Sequence, residues 1–416
     1  MLLNYLKIAW KVLLRRKFFT FISLFGISFT LMILLVVYAM VDYTVGPHRP
    51  ELRVDRLLFV NRMQLQYKDG GQSNSSLGYA FLDKYVRTLR TPEKVAISEN
   101  NFSTVTAYAG QQTLKFDLKR TDSEFWQVLN FEFLAGRPYT SREVREAARV
   151  AVLNEATSRR YFGTLQGVVG RTIEVDAVRY QVVGVVRNVP LSRIHSYADL
   201  WVPITTTTEN LRDPDYLGGY EAILLASSAA AVPQVKDEYF QVVSKVPIPE
   251  PKRYSKVYSR AHTLFASLSG NSGDAGPDGK VSVFVQVGLG LGLLFMLLPA
   301  LNLVNVNVSR TLERSSEIGI RKAFGATTGT LMRQFLVENI FLTLLGGVLG
   351  LGLAAGLLAL INDSHLLPYS EFSLNGRVCA VALGLALFFG ILSGVYPAYK
   401  MSKLQAVQVL KGEVAV

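Results

Sequence analysis

The chain has 416 residues, of which 50% are hydrophobic and 18% charged, with a formal net charge of +12. That charge would suit nucleic acid if it lay on one folded face, but thirteen Lys or Arg against four Glu, +9 of the total, flank apolar runs, which excludes nucleic acid and fits a membrane surface. The lone cysteine, Cys379, excludes an intrachain disulfide, so packing must hold each folded part together.

Residues 1–17 mix Leu3, Leu6, Trp10, Leu13 and Leu14 with Lys7 and Lys11, a pattern suited to a cytoplasmic amphipathic helix lying on the inner membrane surface. Residues 18–41 then carry no charge, and neither do 281–309, 339–362 or 378–399. About 20 apolar helical residues cross a hydrocarbon core, so all four runs qualify as spans, TM1 to TM4. Globular core helices of this length would show a polar face, which these lack. The first run exceeds the 7–15 residues, roughly, of a signal-peptide core and lacks a convincing cleavage site, so it reads as a retained anchor.

Orientation follows from the basic residues. Lys7, Lys11, Arg15, Arg16 and Lys17 precede the first span; Arg310, Arg314, Arg321, Lys322 and Arg333 lie in the loop 310–338; Lys400, Lys403 and Lys411 lie in the tail 400–416. The short loop 363–377 has Arg377 against Asp363 and Glu371. The positive-inside rule places both termini and the 310–338 loop in the cytoplasm and the large segment 42–280 outside.

Within 42–280 a helix is expected at 78–90, and Thr121 with Glu124 reads as a capping box opening a helix through Trp126 and Leu129. Asn154 caps a further helix that stops at Gly163. Residues 171–176 and 179–187 form a hairpin turning near Asp176, and 253–267 alternates like a strand. The sum is a mixed α/β domain, followed at 268–280 by a loop carrying Gly270, Gly273, Gly276 and Gly279.

The second run, 281–309, is longer than crossing demands, so it tilts or extends outward as a stalk. Near its inner end stand Asn302, Asn305 and Asn307, for which two readings stand: amides bonded across a subunit interface, or amides reaching headgroups. In the segment 312–326, LERSSEIGIRKAFGA, Glu317 and Arg321 stand one helical turn apart, while Leu312, Ile318, Ala323 and Phe324 form a narrow apolar side. Gly325 suits a helix stop and Thr327 or Thr328 a cap for the next helix. In the third run Gly346, Gly350, Gly352 and Gly356 allow close helix approach.

The run SSEIGIRKAFGAT with Gln334, Phe335, Leu336 and Glu338, and the ending GVYPAYKMSKLQAVQVLKGE from Gly394, closely resemble permeases of the FtsX and MacB type of ABC transporter. FEFLAGRPYT at 131–140, VAVLNEATSRRYFG at 150–163, GRTIEV at 170–175 and YQVVGVVRNVP at 180–190 resemble the MacB-like periplasmic core domain. The resemblance covers nearly the whole chain. It implies a membrane protein with an α-helical transmembrane domain of four helices and a large mixed α/β periplasmic domain between helices one and two, with a strand-rich lobe inserted at about 116–214.

It further implies a bacterial inner-membrane location and a coupling helix that docks on an ATPase, here Glu313, Arg314, Glu317, Ile318, Gly319, Arg321, Lys322, Gly325 and Ala326. Such permeases work as dimers, so a homodimer or a heterodimer with a related permease is expected, with Asn302, Asn305, Gly346, Gly350, Gly352 and Gly356 at helix packing or dimer contacts. No GxxxxGK[ST] phosphate loop occurs in the sequence, so ATP and Mg are expected on a separate ABC-type ATPase subunit. The chain thereby departs from MacB, which fuses its ATPase to the N-terminus; FtsX usually has a smaller outer domain. His48, His195, His262 and His365 show no spacing suited to a metal or to a base beside a nucleophile, so neither a metal nor a catalytic site is expected. Two functions remain open: a permease that exports or extracts an amphipathic substrate, with a periplasmic adaptor and outer-membrane channel as further partners, and a regulatory permease controlling an extracytoplasmic enzyme.

Overall fold

The computed structural model describes residues 14, 17–109, 112–269, 290, 320, 324, 326–364 and 368–402. The chain divides into two units, Met1–Val41 with Val287–Leu366 and Glu371–Val416, and Asp42–Gln286 with Leu367–Ser370.

The first charge-free run folds into α1 (Lys17–Val45), whose last residues, from Asp42, belong to the larger unit. That unit is mixed α/β, as expected. Its strands are β1 (Leu57–Val60), β2 (Met63–Tyr67), β3 (Gln72–Leu77), β4 (Pro92–Glu99), β5 (Ser103–Ala109), β6 (Gln112–Thr121), β7 (Phe133–Gly136), β8 (Val150–Asn154), β9 (Thr172–Val175), β10 (Val178–Val186), β11 (Leu200–Pro203), β12 (Leu217–Gly218), β13 (Tyr220–Ala226) and β14 (Tyr254–Ser259). Among them lie helices α2 (Tyr79–Phe81), α3 (Phe125–Val128), α4 (Ser141–Arg145), α5 (Glu155–Phe162), α6 (Val232–Lys245) and α7 (Leu264–Ser269).

Strand pairing divides this unit into two lobes. The order β11-β8-β10-β9-β5-β6 returns on itself because β11 also pairs in parallel with β6, from Leu200↔Leu118 to Pro203↔Thr121, so these strands close a small barrel. Alternate residues point inward along each strand: Val105 and Ala107, Phe116 and Leu118, Ala151 and Leu153, Ile173 and Val175, Tyr180 and Val182, Leu200 and Val202 form one buried cluster. A barrel this small is filled by its own side chains. The second lobe pairs β13 with β1, β3 and β4 and adds β2 and β14 beyond β3; its core holds Leu57, Phe59, Ile97, Ile223, Val235 and Tyr239. The lobes join where β4 meets β6 at Ser98↔Thr121.

Local signals were obeyed where their partners are near in sequence. Asn154 accepts the Thr157 N–H at 2.7 Å, and α5 stops at Gly163 with φ 75°. Asp176 and Ala177 both take positive φ in the turn between β9 and β10. Four expectations are corrected. The Thr121–Glu124 box is absent: Thr121 ends β6 with its hydroxyl on the Tyr139 hydroxyl, and Asp122 Oδ1 instead accepts the Phe125 N–H at 3.0 Å, opening a single-turn α3. The 78–90 helix is shorter, α2 running into a π turn at Leu82–Val86. The strand expected at 253–267 ends at Ser259, because its partner β2 ends in register there at Met63; His262 makes one isolated bridge to Phe59 and α7 begins at Leu264. Leu268 and Ser269, assigned to the glycine-rich loop, finish α7; Gly270 to Gly279 lie outside the described residues.

In the smaller unit the third and fourth runs form α8 (Thr328–Asp363) and α9 (Gly376–Ser402). Thr327 Oγ1 accepts the Thr330 N–H at 3.3 Å and caps α8, so residues 328–338, read as loop, are helical. Asn362 and Phe372 exchange two hydrogen bonds of 2.9 Å across the turn, and Asn375 Oδ1 accepts the Val378 N–H at 2.9 Å to cap α9. Among the described residues two helices, Thr20–Val45 and Leu336–Asp363, are long and apolar enough to cross a membrane, and Gly376–Phe388 is a shorter apolar stretch. The run 281–309 and the helix expected at 1–17 lie outside the described residues except for Leu14, Lys17 and Gly290.

Candidate functional site

Most of the expected coupling helix, Glu313, Arg314, Glu317, Ile318, Gly319, Arg321, Lys322 and Gly325, lies outside the described residues, as do Asn302, Asn305 and Asn307. What is described around it is informative. The Phe324 N–H donates to Ile320 O at 3.0 Å, a one-turn helical bond, and both side chains are exposed, Phe324 at 89%. Ala326 is half-buried and Thr327 then starts α8. One helical turn apart inside α8, Gln334 and Glu338 are buried.

The four α8 glycines expected at helix contacts, Gly346, Gly350, Gly352 and Gly356, fall into two pairs. A Cβ at Gly346 would come within 2.4 Å of Ile27, and one at Gly350 within 3.0 Å of the Ser28 carbonyl and 3.1 Å of Leu31, so this pair is where α1 and α8 approach. At Gly352 and Gly356 a Cβ would meet nothing. Ile27, Leu31, Leu342 and Ala386 complete the small core of α1, α8 and α9.

Sequence reasoning missed a buried polar network in the larger unit. The loop joining β10 to β11 folds back through bonds from Ser196 and Tyr197 N–H to Arg193 O, at 3.0 and 2.8 Å. It thereby buries Arg193, His195 and Asp199 in succession. Arg193 pairs with Glu51 at 2.5 Å and donates to the carbonyls of Tyr43, in the last turn of α1, at 2.6 Å and Gly46, just past it, at 2.8 Å. Ser196 donates to the other Glu51 oxygen at 2.7 Å. His195 stacks on Phe59 with ring centroids 4.2 Å apart. Its Nδ1 lies 2.7 Å from Glu221 Oε2 and its Nε2 lies 2.9 Å from Ser267 Oγ in α7. Lys119 Nζ donates to Glu221 Oε1 at 3.2 Å and to the His195 carbonyl at 2.7 Å. Asp199 accepts from the Tyr369 hydroxyl at 2.8 Å and from Asn154 Nδ2 at 3.0 Å.

Ser267, His195 and Glu221 are spaced like a nucleophile, base and orienting acid, which corrects the expectation that no histidine stands beside such a group. The chemistry differs. Ser267 gives its single proton to Leu264 O at 2.7 Å, so the bond to His195 requires Nε2 to donate. A serine facing a ring N–H has no base to activate it. Burial opposes the Glu221 charge, but His195 and Lys119 outweigh it and hold the carboxyl below its usual range. The trio is therefore structural. Burial and the Asp199 carboxylate push the Tyr369 phenol up, keeping it a donor. Only three-dimensional folding assembles this network: its members lie 26 and 72 positions apart at His195–Glu221 and His195–Ser267. Among the described residues no cluster of His, Cys, Asp or Glu is arranged to hold a metal.

Comparison with known proteins places these features. The MacB-like periplasmic core domain matches residues 20–239, and the FtsX-like permease C-terminal domain matches residues 289–406. The chain is 27% identical over 282 residues to the macrolide export ATP-binding/permease protein MacB of Bdellovibrio bacteriovorus, covering 67% of this chain and 41% of that one. It is 24% identical over 420 residues to the pyoverdine export ATP-binding/permease protein PvdT of Pseudomonas aeruginosa, covering 99% and 59%. It thus spans about half the length of the curated relatives it matches. The crystallised periplasmic region of MacB from Actinobacillus actinomycetemcomitans is similar over 51% of this chain and 94% of its own, at 14% identity and a TM-score of 0.35. With one domain model covering more than half of the sequence and the other most of the remainder, the chain belongs to the FtsX/MacB-type permeases of ABC transporters, inner-membrane proteins that carry a periplasmic domain.

Proposed function

We propose that this chain is the permease subunit through which separate ATPase subunits move a periplasmic core domain to export or extract an amphipathic substrate: a drug, peptide, lipid or lipoprotein. The observation that carries the reading is the FtsX-like match over 289–406, which contains the charged segment 312–326. In this reading the chain has four spans with both termini in the cytoplasm, and 312–326 docks on the ATPase through one helical face that carries Glu317, Ile320, Arg321 and Phe324. A second permease, the same or related, completes the pair. Gly352 and Gly356, where a Cβ would meet nothing, are assigned to its contact. Export is preferred over enzyme regulation because the relatives named above carry export in their names.

The test is capture of the tagged full-length chain from its own membranes. It should bring down an ATP-hydrolysing subunit, and Glu317→Ala and Phe324→Asp should each weaken capture by about ten-fold, the usual consequence of losing a central contact worth on the order of 1–2 kcal/mol. Unchanged capture and unchanged transport in both variants would remove the docking role.

A further inference from the structure

The loop 190–199 between β10 and β11 holds more than its own barrel together. Arg193 grips the Tyr43 and Gly46 carbonyls at the end of α1. Two residues on, His195 holds Ser267 of α7, the last described helix before the apolar run 281–309. Four residues further, Asp199 holds Tyr369, in the segment between α8 and α9. All of these residues belong to the larger unit. Each described stretch of that unit that adjoins an apolar run in sequence is therefore tied to one short loop. The loop side chain of each tie, Arg193, His195 and Asp199, is buried, and a buried charged group such as Arg193 or Asp199 is costly to leave unpartnered.

We propose that this loop is a mechanical junction, in which Arg193, His195 and Asp199 are positioning residues that make the three chain entries one cooperative unit. Displacing one entry then shifts the others, because the loop's own turn bonds and the Lys119 clamp on the Ile194 and His195 carbonyls, at 3.1 and 2.7 Å, keep it from stretching. The chemistry suits this task. Arg193 offers a rigid planar fork to two carbonyls and a carboxylate, and His195 spends both ring nitrogens on fixed partners, so neither side chain can turn without losing bonds on two sides. The purpose given to the junction, relaying movement between spans and periplasmic domain, rests on the proposed function; the cooperativity itself does not.

Hydrogen–deuterium exchange of the full chain in lipid nanodiscs, without ATPase, decides the matter. Ser267→Ala removes the acceptor for His195, and Tyr369→Phe removes the donor to Asp199; both are small changes. Each should raise exchange about five-fold, the effect of losing one buried hydrogen bond, at all three entries: peptides covering 43–46, 264–269 and 369–370. Peptides from β9 and β10 should stay protected, which shows that the fold persists. As a control, Arg179→Gln breaks the surface pair with Glu174 and should leave the three entries unchanged. Faster exchange confined to the substituted tie, or at none of them, would overturn the junction. Failure to capture an ATPase would leave this result standing, so the two readings fail separately.

Discussion

Burial, helped by Lys236, Arg260 and Arg62, pushes the His262 imidazole down to about 4. In the unfolded chain an imidazole titrates near 6.5, so between those values the unfolded state holds the extra proton. Stability is thus full above about pH 6.5 and declines as pH falls toward 4. Thermal unfolding of the purified chain should show a lower midpoint at pH 5 than at pH 7, and His262→Gln should flatten that dependence. A wild-type slope retained in the variant would exclude His262 as its source. At this scale the sequence was legible where a side chain answers its own neighbourhood. Asn154 was read correctly because its target, the Thr157 N–H, is three residues away. Thr121 was misread because it is committed to the strand ladder and to Tyr139, and the Phe125 N–H goes to Asp122 instead. His195 could not be read at all, since its carboxylate and hydroxyl partners come from β13 and α7.

Among the elements, the charge-free runs at 18–41, 339–362 and 378–399 announced α1, α8 and α9 within a few residues, apart from the extra turns at the start of α8. Absence of charge over such lengths is a property of composition, so no partner needs to be known. Which glycine touches which helix is a property of pairing, and the sequence offered all four alike. The structure separates them, and the separation can be measured. Gly346→Val forces a side chain into Ile27 and should cost about 1–3 kcal/mol, the usual range for overpacking. Gly352→Val, facing open space within the chain, should leave the melting temperature of the detergent-solubilised monomer unchanged. Equal effects of the two would contradict the α1–α8 approach. The strand expected to run to 267 carries the same lesson, because the end of its partner, not its own alternation, stopped it.

At the scale of the whole chain, a mixed α/β domain between apolar runs was legible, whereas closure of β5, β6, β8, β9, β10 and β11 into a barrel was not. Closure depends on β11 reaching β6, a parallel pairing across about eighty residues that leaves no local trace. The second buried cluster runs from Val105 to Val202, so the barrel takes in β5 ahead of the lobe boundary expected at 116. Phe116 sits at the centre of that interior, 1% exposed. Phe116→Ala should lower unfolding stability by about 3–5 kcal/mol, measured by chemical denaturation, whereas a loss below about 1 kcal/mol would mean that the interior is not close-packed.

A ring of strands has a further consequence for how accessory proteins could approach. Among the described residues every member of the ring is flanked by two others, so little backbone rim is left bare, chiefly where β5 meets β9 only at Ala107↔Val175 and along the outer side of β7. Recognition of this part of the molecule has to be mainly by side chains and protruding turns, such as the β5–β6 hairpin that displays Tyr108 at 68% exposure. Its specificity can then change by surface substitution while the scaffold beneath stays the same.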